Sequence, residues 1–192
     1  PWQVVDQGTR DAASPTLELP SSEATRSRYP FDFKLRFTFQ LHGHMLDLHQ
    51  QFTNLSDRPM PFSTGLHPYF LVTDKSRLEF EIPAREYRDH LTGDIKTFAG
   101  SFDFSQDEID LAFHGLTATA ATVTDLNLKR RITLSWSDDY QRLVFWTVQG
   151  KDYYCLEPWT APRNAMNTGE DLLTLEPQQT LETRVRFAVA FL

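Results

Sequence analysis

The sequence predicts an all-β protein whose strands form a large antiparallel β-sandwich. Two stretches of eleven residues, 31–41 and 181–191, place mostly apolar residues at alternate positions, which is the pattern of a strand with one buried face. Shorter apolar runs lie between them, each bounded by turn residues, and no long segment repeats every 3.6 residues. About a dozen strands with almost no helix favour a sandwich or a barrel.

The chain begins with two short apolar runs, 2–5 and 17–19, followed by a proline- and serine-containing stretch at 20–25 that predicts a loop. The strand at 31–41 and the run at 46–52 are separated only by turn residues, so together they predict an antiparallel hairpin. Further strands are predicted at 78–82, 109–113, 132–136, 143–148, 153–156 and 181–191.

Three histidines lie in this hairpin, at positions 42, 44 and 49. Histidines in such proximity can bind a metal, but the first two lie in the predicted turn, and no carboxylate or cysteine is placed to complete a coordination shell. We therefore predict histidines exposed to solvent in the hairpin, and no metal site.

The composition limits the classes of function. With 19 basic and 26 acidic residues the formal net charge is −7, so the overall field repels nucleic acid and anionic lipid. No apolar run reaches the length of a membrane-spanning helix. Cys155 is the only cysteine, which excludes an internal disulfide and fits a reducing compartment. We predict a cytoplasmic protein that binds a small molecule; the sequence does not indicate an oligomeric state.

The first candidate site residue is His67, in the stretch Ser63-Thr64-Gly65-Leu66-His67-Pro68-Tyr69-Phe70. Gly65 allows a close approach that a Cβ would prevent, and Pro68 restricts the conformation of the histidine. An imidazole fixed beside an aromatic side chain suits proton transfer to a sugar. The alternative is a buried histidine at a strand end with no catalytic role.

The second candidate is Glu157, in the stretch Tyr153-Tyr154-Cys155-Leu156-Glu157-Pro158-Trp159. On a strand, Tyr153, Cys155 and Glu157 share a face, so the carboxylate lies beside aromatic surface and is partly removed from water. Burial of this kind raises the pKa of a carboxyl group towards neutrality, as a general base working at pH 7 requires. The alternative is a strand-end glutamate in a surface ion pair.

Together, these two stretches resemble the signature segments of the aldose 1-epimerases, the galactose mutarotase-like proteins. The similarity rests on Gly65-Leu66-His67-Pro68-Tyr69-Phe70 and, later in the chain, on Leu156-Glu157-Pro158-Trp159. It extends over residues 28–192 and includes the closing alternating strand. Further matches are Asn54-Leu55-Ser56, Asp110, Phe113, Pro162 and Asn164.

The resemblance implies the galactose mutarotase-like supersandwich fold and an isomerase of carbohydrate metabolism that interconverts the α and β anomers of an aldohexose or a hexose 6-phosphate. It implies that Glu157 is the general base for the anomeric hydroxyl and that His67 is the general acid for the ring oxygen. Asp110 would hydrogen-bond sugar hydroxyls, while Trp159 and Tyr69 would offer apolar faces to the pyranose. The family needs no metal and no organic cofactor.

The resemblance leaves the substrate and the class of function open. A phosphorylated sugar would need a basic pocket, for which Arg85, Arg88 and Arg163 are candidates; only Arg163 is placed near the chemistry by sequence order. The alternative function is that of a non-catalytic carbohydrate-binding β-sandwich protein of the same fold, in which Trp159 and Tyr69 hold the sugar. A structural β-sandwich domain that binds no sugar is a third interpretation.

The family also has a histidine and an arginine in a segment that precedes the region of resemblance. The pair His42-Gly43 imitates that histidine locally but lies inside the predicted hairpin, too late in the order. We therefore expect residues 1–192 to form a single β-sandwich domain that is the C-terminal two-thirds of a longer domain and lacks its N-terminal strands. Without that segment, strand edges would be exposed and activity impaired.

Overall fold

The fold is described by a computed structural model that covers residues 1–8 and 13–192. It confirms the predicted all-β class: the described residues contain only two α-helices, each of about one turn, α1 (Glu23–Arg26) and α2 (Ala165–Thr168). No helix in this part of the chain is long and apolar enough to cross a membrane. In chain order the strands are β1 (Gln3–Gly8), β2 (Ser14–Pro20), β3 (Phe33–His42), β4 (Met45–Asn54), β5 (Met60–Phe62), β6 (Tyr69–Leu71), β7 (Leu78–Glu81), β8 (Glu86–Asp89), β9 (Ile95–Thr97), β10 (Glu108–His114), β11 (Ala120–Asp125), β12 (Arg130–Trp136), β13 (Arg142–Val148), β14 (Tyr153–Trp159), β15 (Leu173–Leu175) and β16 (Thr180–Phe191).

In the part of the chain that the structure describes, the strands form three antiparallel sheets. An eight-stranded sheet has the order β1-β2-β3-β4-β16-β12-β11-β7, a six-stranded sheet has the order β6-β14-β13-β10-β8-β9, and β5 pairs with β15. The predicted hairpin is β3–β4, in which Phe33 lies opposite Asn54 and His42 lies opposite Met45. The closing strand β16 pairs with both β4 and β12, so it joins the N-terminal hairpin to the later strands of the same sheet.

Two features differ from the sequence-based expectation. The predicted loop at 20–25 contains α1, because Ser22 caps the helix: its hydroxyl accepts a hydrogen bond from the Thr25 N–H, and the Thr25 hydroxyl accepts one from the Ser22 N–H. Six strands were not predicted, namely β5, β6, β8, β9, β11 and β15. They are three to six residues long, too short to show a sustained alternation.

The main core lies between the two large sheets. Val123, Leu134 and Val185 contribute to it from the eight-stranded sheet, and residues of β10, β13 and β14 contribute from the six-stranded sheet. Phe145 of β13 is fully buried there and stacks on Phe102, with the ring centroids 3.9 Å apart. A second apolar cluster packs the small sheet against β3 and β4, and its buried members are Phe33, Phe52, Met60, Phe62 and Leu175.

Phe145→Ala is expected to lower the free energy of unfolding by about 3–5 kcal/mol, because the ring loses its burial and leaves a cavity. Urea unfolding measures this change. Phe191→Ala, at the exposed end of β16, is the matched control, with an expected change of about 0.5 kcal/mol or less. Equal losses for the two variants would contradict the position given to Phe145 in the core.

The outer face of the six-stranded sheet, which points away from the main core, carries the polar residues of interest. Side chains alternate along a strand, and Tyr154 and Leu156 of β14 belong to the core. Cys155, Glu157 and Trp159 therefore lie on the outer face. This is the shared face that the alternation predicts for Cys155 and Glu157.

Asp110 of β10 lies on the same outer face, because its neighbours Ile109 and Leu111 belong to the core. The strand register then places four outer-face residues in one row across β6, β14, β13 and β10. In that order they are Tyr69, Cys155, Trp146 and Asp110. The sheet thus brings two distant carboxylates, those of positions 110 and 157, to one surface.

Candidate active site

The site is built around the carboxyl group of Glu157, whose side chain is only 1% exposed. Its Oε1 lies 3.2 Å from Nε2 of His67, and its Oε2 accepts a hydrogen bond from the indole N–H of Trp159 at 3.1 Å. Burial raises the pKa of Glu157 to about 7; the Trp159 hydrogen bond lowers it, the charge of Asp110 raises it and the charge of Arg163 lowers it. The group can therefore gain or lose a proton near neutral pH.

Segment 63–68, between β5 and β6, holds His67 against β14. Gly65 forms an isolated antiparallel bridge with Trp159, and backbone hydrogen bonds of 2.9–3.2 Å on either side of it tie the segment to the end of β14. The imidazole stacks on Tyr69, with the ring centroids 5.0 Å apart. The His67 side chain is 48% exposed, so a ligand can reach it.

Gly65 leaves no room for a side chain: a Cβ at this position would lie 2.6 Å from Cδ1 of Trp159. Gly65→Ala is therefore expected to lower the free energy of unfolding by about 1–3 kcal/mol through overpacking, and to shift the tryptophan fluorescence as the indole moves. Urea unfolding followed by fluorescence measures both changes. Gly8→Ala is the matched control, because the nearest atom to its Cβ would be 3.5 Å away, an ordinary contact. Indistinguishable variants would contradict this prediction.

A second carboxylate, Asp110, is held by two donors. Nδ1 of His90 lies 2.7 Å from Oδ1, and Arg163 donates to Oδ2 at 2.9 Å. Burial alone would raise the pKa of Asp110, but the hydrogen bonds and charges of His90 and Arg163 outweigh it and hold the pKa below its usual range. Asp110 is therefore ionised at neutral pH, whereas Glu157 is divided between its two forms, a difference that suits the two carboxyl groups to different tasks.

A cavity of about 420 Å³ opens beside Glu157 and His67, a volume typical of small-molecule sites. Residues of segments 63–67 and 161–166 form much of its wall. A neighbouring cavity of about 300 Å³ shares Pro162 and Arg163 with it. Arg88 lines this second cavity.

The structure places four of the six predicted site residues around the first cavity. They are His67, Glu157, Trp159 and Arg163. Asp110 does not line this cavity but is connected to it by the hydrogen bond that it accepts from Arg163. Tyr69 does not line it: the tyrosine ring stacks on His67 and meets Tyr153 edge-on. The aromatic side chain beside the histidine therefore supports the imidazole.

Two side chains that contact the predicted site residues were themselves not predicted, Trp146 and His90. Trp146 packs edge-on against His67 with ring centroids 5.5 Å apart, and its indole N–H donates to Glu108 at 2.7 Å. The alternation of β13 puts Trp146 on the face opposite to Phe145, so the sequence contained a signal for it. His90 directly follows a short unpredicted strand, and no local pattern marks it.

One group of possible metal ligands occurs within residues 1–8 and 13–192: His67, Cys155 and Glu157, whose ligand atoms all lie within 4.8 Å of one another. A cysteine binds metal as a thiolate. Burial, with an added contribution from the charge of Glu157, raises the pKa of Cys155 to about 12, so the thiol is protonated at neutral pH. The absence of a required metal stays a prediction.

A sequence model of the protein family described as aldose 1-epimerase matches residues 1–188 of this chain. Among curated proteins, the chain is 25% identical over 195 residues to the uncharacterized protein YihR of Escherichia coli (strain K12). That match covers 91% of this chain and 60% of YihR, so the chain spans less than two thirds of the length of this relative.

Among solved structures, the Slr1438 protein from Synechocystis sp. PCC 6803 is 43% identical, with a TM-score of 0.97 over 100% of this chain and 66% of that protein. A galactose mutarotase-like protein from Clostridium acetobutylicum is 20% identical, with a TM-score of 0.83 over 100% of this chain and 67% of that protein. The second likeness shows the shared fold and confirms the predicted galactose mutarotase-like sandwich.

Proposed function

Because the chain belongs to the aldose 1-epimerase family, we propose that it is an isomerase that interconverts the α and β anomers of an aldohexose or a hexose 6-phosphate. The observation that carries this proposal is the contact between the buried carboxyl group of Glu157 and the accessible imidazole of His67, at 3.2 Å. Opening a hemiacetal needs a base at the anomeric hydroxyl and an acid at the ring oxygen. These two groups can perform both tasks.

In the proposed reaction, ionised Glu157 accepts the proton of the anomeric hydroxyl while protonated His67 gives its proton to the ring oxygen. The bond between the anomeric carbon and the ring oxygen breaks, and the anomeric carbon becomes an aldehyde. After rotation about the adjacent carbon–carbon bond, His67 takes the proton back from the hydroxyl as it attacks the other face. Glu157 then returns its proton to the new anomeric oxygen.

The sugar must enter between the two side chains and replace their direct contact, which the exposure of His67 allows. In this proposal Trp159 packs against the apolar side of the pyranose, and Asp110 accepts hydrogen bonds from sugar hydroxyls. A phosphate group would lie towards the second cavity, where Arg163 and Arg88 are both exposed to it. A cytoplasmic location is part of the proposal and is supported by the single, free cysteine.

The test is to follow a freshly dissolved α-aldohexose, and separately its 6-phosphate, by proton NMR or polarimetry with the 192-residue chain. Equilibration faster than the buffer blank, in proportion to protein concentration, is the expected result. No acceleration for either sugar would overturn the proposal for this chain. Saturable sugar binding without acceleration would instead support the non-catalytic carbohydrate-binding alternative.

The rate of anomer exchange at limiting sugar is expected to rise with pH through about 7. The cause is the pKa of Glu157, which burial raises to about 7, because only the ionised carboxylate can act as the base. Below about pH 6 the rate should fall roughly tenfold per pH unit. Rates measured from pH 5 to pH 9 check this; a maximum below pH 5.5 would contradict it.

A further inference from the structure

We propose that His90 is a positioning residue of the sugar site: it fixes the carboxylate of Asp110 and the indole of Trp159, and so determines how strongly one sugar hydroxyl is recognised. This inference rests on the proposed function, in which the latter two residues contact the sugar. His90 directly follows β8; it lines the second cavity, as Arg88 and Arg163 do, but not the cavity beside Glu157 where the proposed proton transfers occur. It therefore acts through its neighbours and does not touch the reacting atoms.

The contact between His90 and Asp110 is short and buried. Nδ1 lies 2.7 Å from Oδ1, and both side chains are 9% exposed. The backbone N–H of His90 also donates to the backbone carbonyl of Asp110 at 2.8 Å, so the two residues are joined twice. An ionised carboxylate can only accept hydrogen bonds, so Nδ1 carries the proton.

The second donor to Asp110 is less able to fix the carboxylate. Arg163 donates to Oδ2 at 2.9 Å, but its side chain is 60% exposed. Exposed ion pairs contribute little, because water screens the charges and the long side chain must be held in one conformation. A sugar hydroxyl entering the cavity can therefore replace Arg163 at Oδ2 while His90 keeps Oδ1 in place.

His90 also contacts the other half of the site. Its ring lies nearly parallel to the indole of Trp159, with an interplanar angle of 25° and ring centroids 6.4 Å apart, within the range of stacked aromatic pairs. The same indole donates to the carboxyl group of Glu157. One buried imidazole thus supports both the carboxylate proposed to bind hydroxyls and the indole that is bonded to the proposed base.

Three variants of His90 distinguish the effect of its Nδ1–H hydrogen bond from the effect of its ring. His90→Leu removes the donor, His90→Asn keeps an N–H near the position of Nδ1, and His90→Gln moves its amide towards the position of Nε2. The readout is the dissociation constant, from NMR titration, of an aldohexose and of its epimers and deoxy derivatives. In the parent chain and in His90→Asn, removal or inversion of one particular sugar hydroxyl should raise the dissociation constant by about tenfold or more. In His90→Leu and His90→Gln the same change of sugar should raise it by less than about threefold.

Two further variants serve as a positive and a negative control for this result. Asp110→Asn should lose discrimination at the same hydroxyl, because it weakens the same acceptor. His44→Leu, a histidine lost from the exposed β3–β4 turn outside both cavities, should retain it. If His90→Leu weakens all sugars equally and keeps the discrimination, His90 has only a structural role and the proposal is overturned. If His90→Leu does not fold, as judged by circular dichroism, the other two variants decide. The proposal is then overturned if His90→Asn and His90→Gln discriminate equally between the sugars that differ at this hydroxyl.

Binding requires no proton transfer, so the two proposals fail in different ways. If the parent chain binds sugar with this discrimination but does not accelerate anomer exchange, the enzymatic proposal fails and the role of His90 stands. If it accelerates exchange while every His90 variant keeps full discrimination, the role of His90 fails alone. A parent chain that binds no aldohexose overturns both.

Discussion

Glu157→Gln is expected to lower the rate of anomer exchange by about 10²–10⁴-fold, the contribution of one positioned base. The amide has nearly the same shape and can still accept the indole hydrogen bond of Trp159, but it cannot take a proton at neutral pH. Because the contacts to the sugar persist, the loss should appear in kcat with little change in KM. Anomer exchange measured by proton NMR at saturating sugar, where exchange is fast enough to follow, separates the two constants.

Glu108→Gln is the matched control for this variant. Glu108 also accepts a hydrogen bond from a tryptophan indole, that of Trp146 at 2.7 Å, and it lies on the same sheet, but it does not line the cavity. Its loss of charge should leave exchange within about twofold of the parent. A Glu157→Gln variant that remains as active as Glu108→Gln would remove Glu157 from the role of base.

Glu157→Gln is also expected to change the pH dependence of folding stability, an effect that does not depend on catalysis. The pKa of Glu157 in the folded chain is about 7, above its ordinary value of 4.5, so the folded state binds the proton more tightly than the unfolded state. The stability from this group is complete below about pH 4.5 and is lost as pH rises through about 7. Glu157→Gln lacks this loss, so its melting temperature should fall less than that of the parent between pH 6 and pH 8.5.

The general arrangement of the fold follows from local pattern. The alternation over 31–41 and 181–191 predicted β3 and β16, and the turn between 41 and 46 predicted the β3–β4 hairpin, because one buried face imposes a period of two on each strand. The short strands β8 and β9 escaped prediction, because three or four residues carry too little periodicity and their pairing is set by β10.

Some features of the site could likewise be predicted from local sequence, and others could not. The burial of Glu157 follows from alternation on β14, and the place of Gly65 follows from its lack of a Cβ, since the indole of Trp159 occupies that space. His90 could not be predicted, because it meets Asp110 only through the pairing of β8 with β10 across twenty residues of chain. Tyr69 stacks on the imidazole of His67, and its contact with the sugar stays a prediction.

His67→Gln is expected to lower kcat by about 10²–10⁴-fold as well, for the complementary reason. The amide can still donate a hydrogen bond towards Glu157, but it has no proton to give to the ring oxygen. The rise in rate through about pH 7 that belongs to Glu157 should remain in this variant, because the base is unchanged. His44→Gln, at an exposed position in the β3–β4 turn, is the control and should match the parent.

The combination of the two substitutions tests whether the groups act as one unit. Independent contributions would multiply, so the double variant would be slower than either single variant by a further factor of about 10² or more. In the proposed reaction the two proton transfers are parts of the same ring opening, and a base without its acid gains little. The double variant Glu157→Gln/His67→Gln should therefore be about as slow as the slower single variant. Multiplicative losses would show that Glu157 and His67, despite their 3.2 Å contact, act in separate steps.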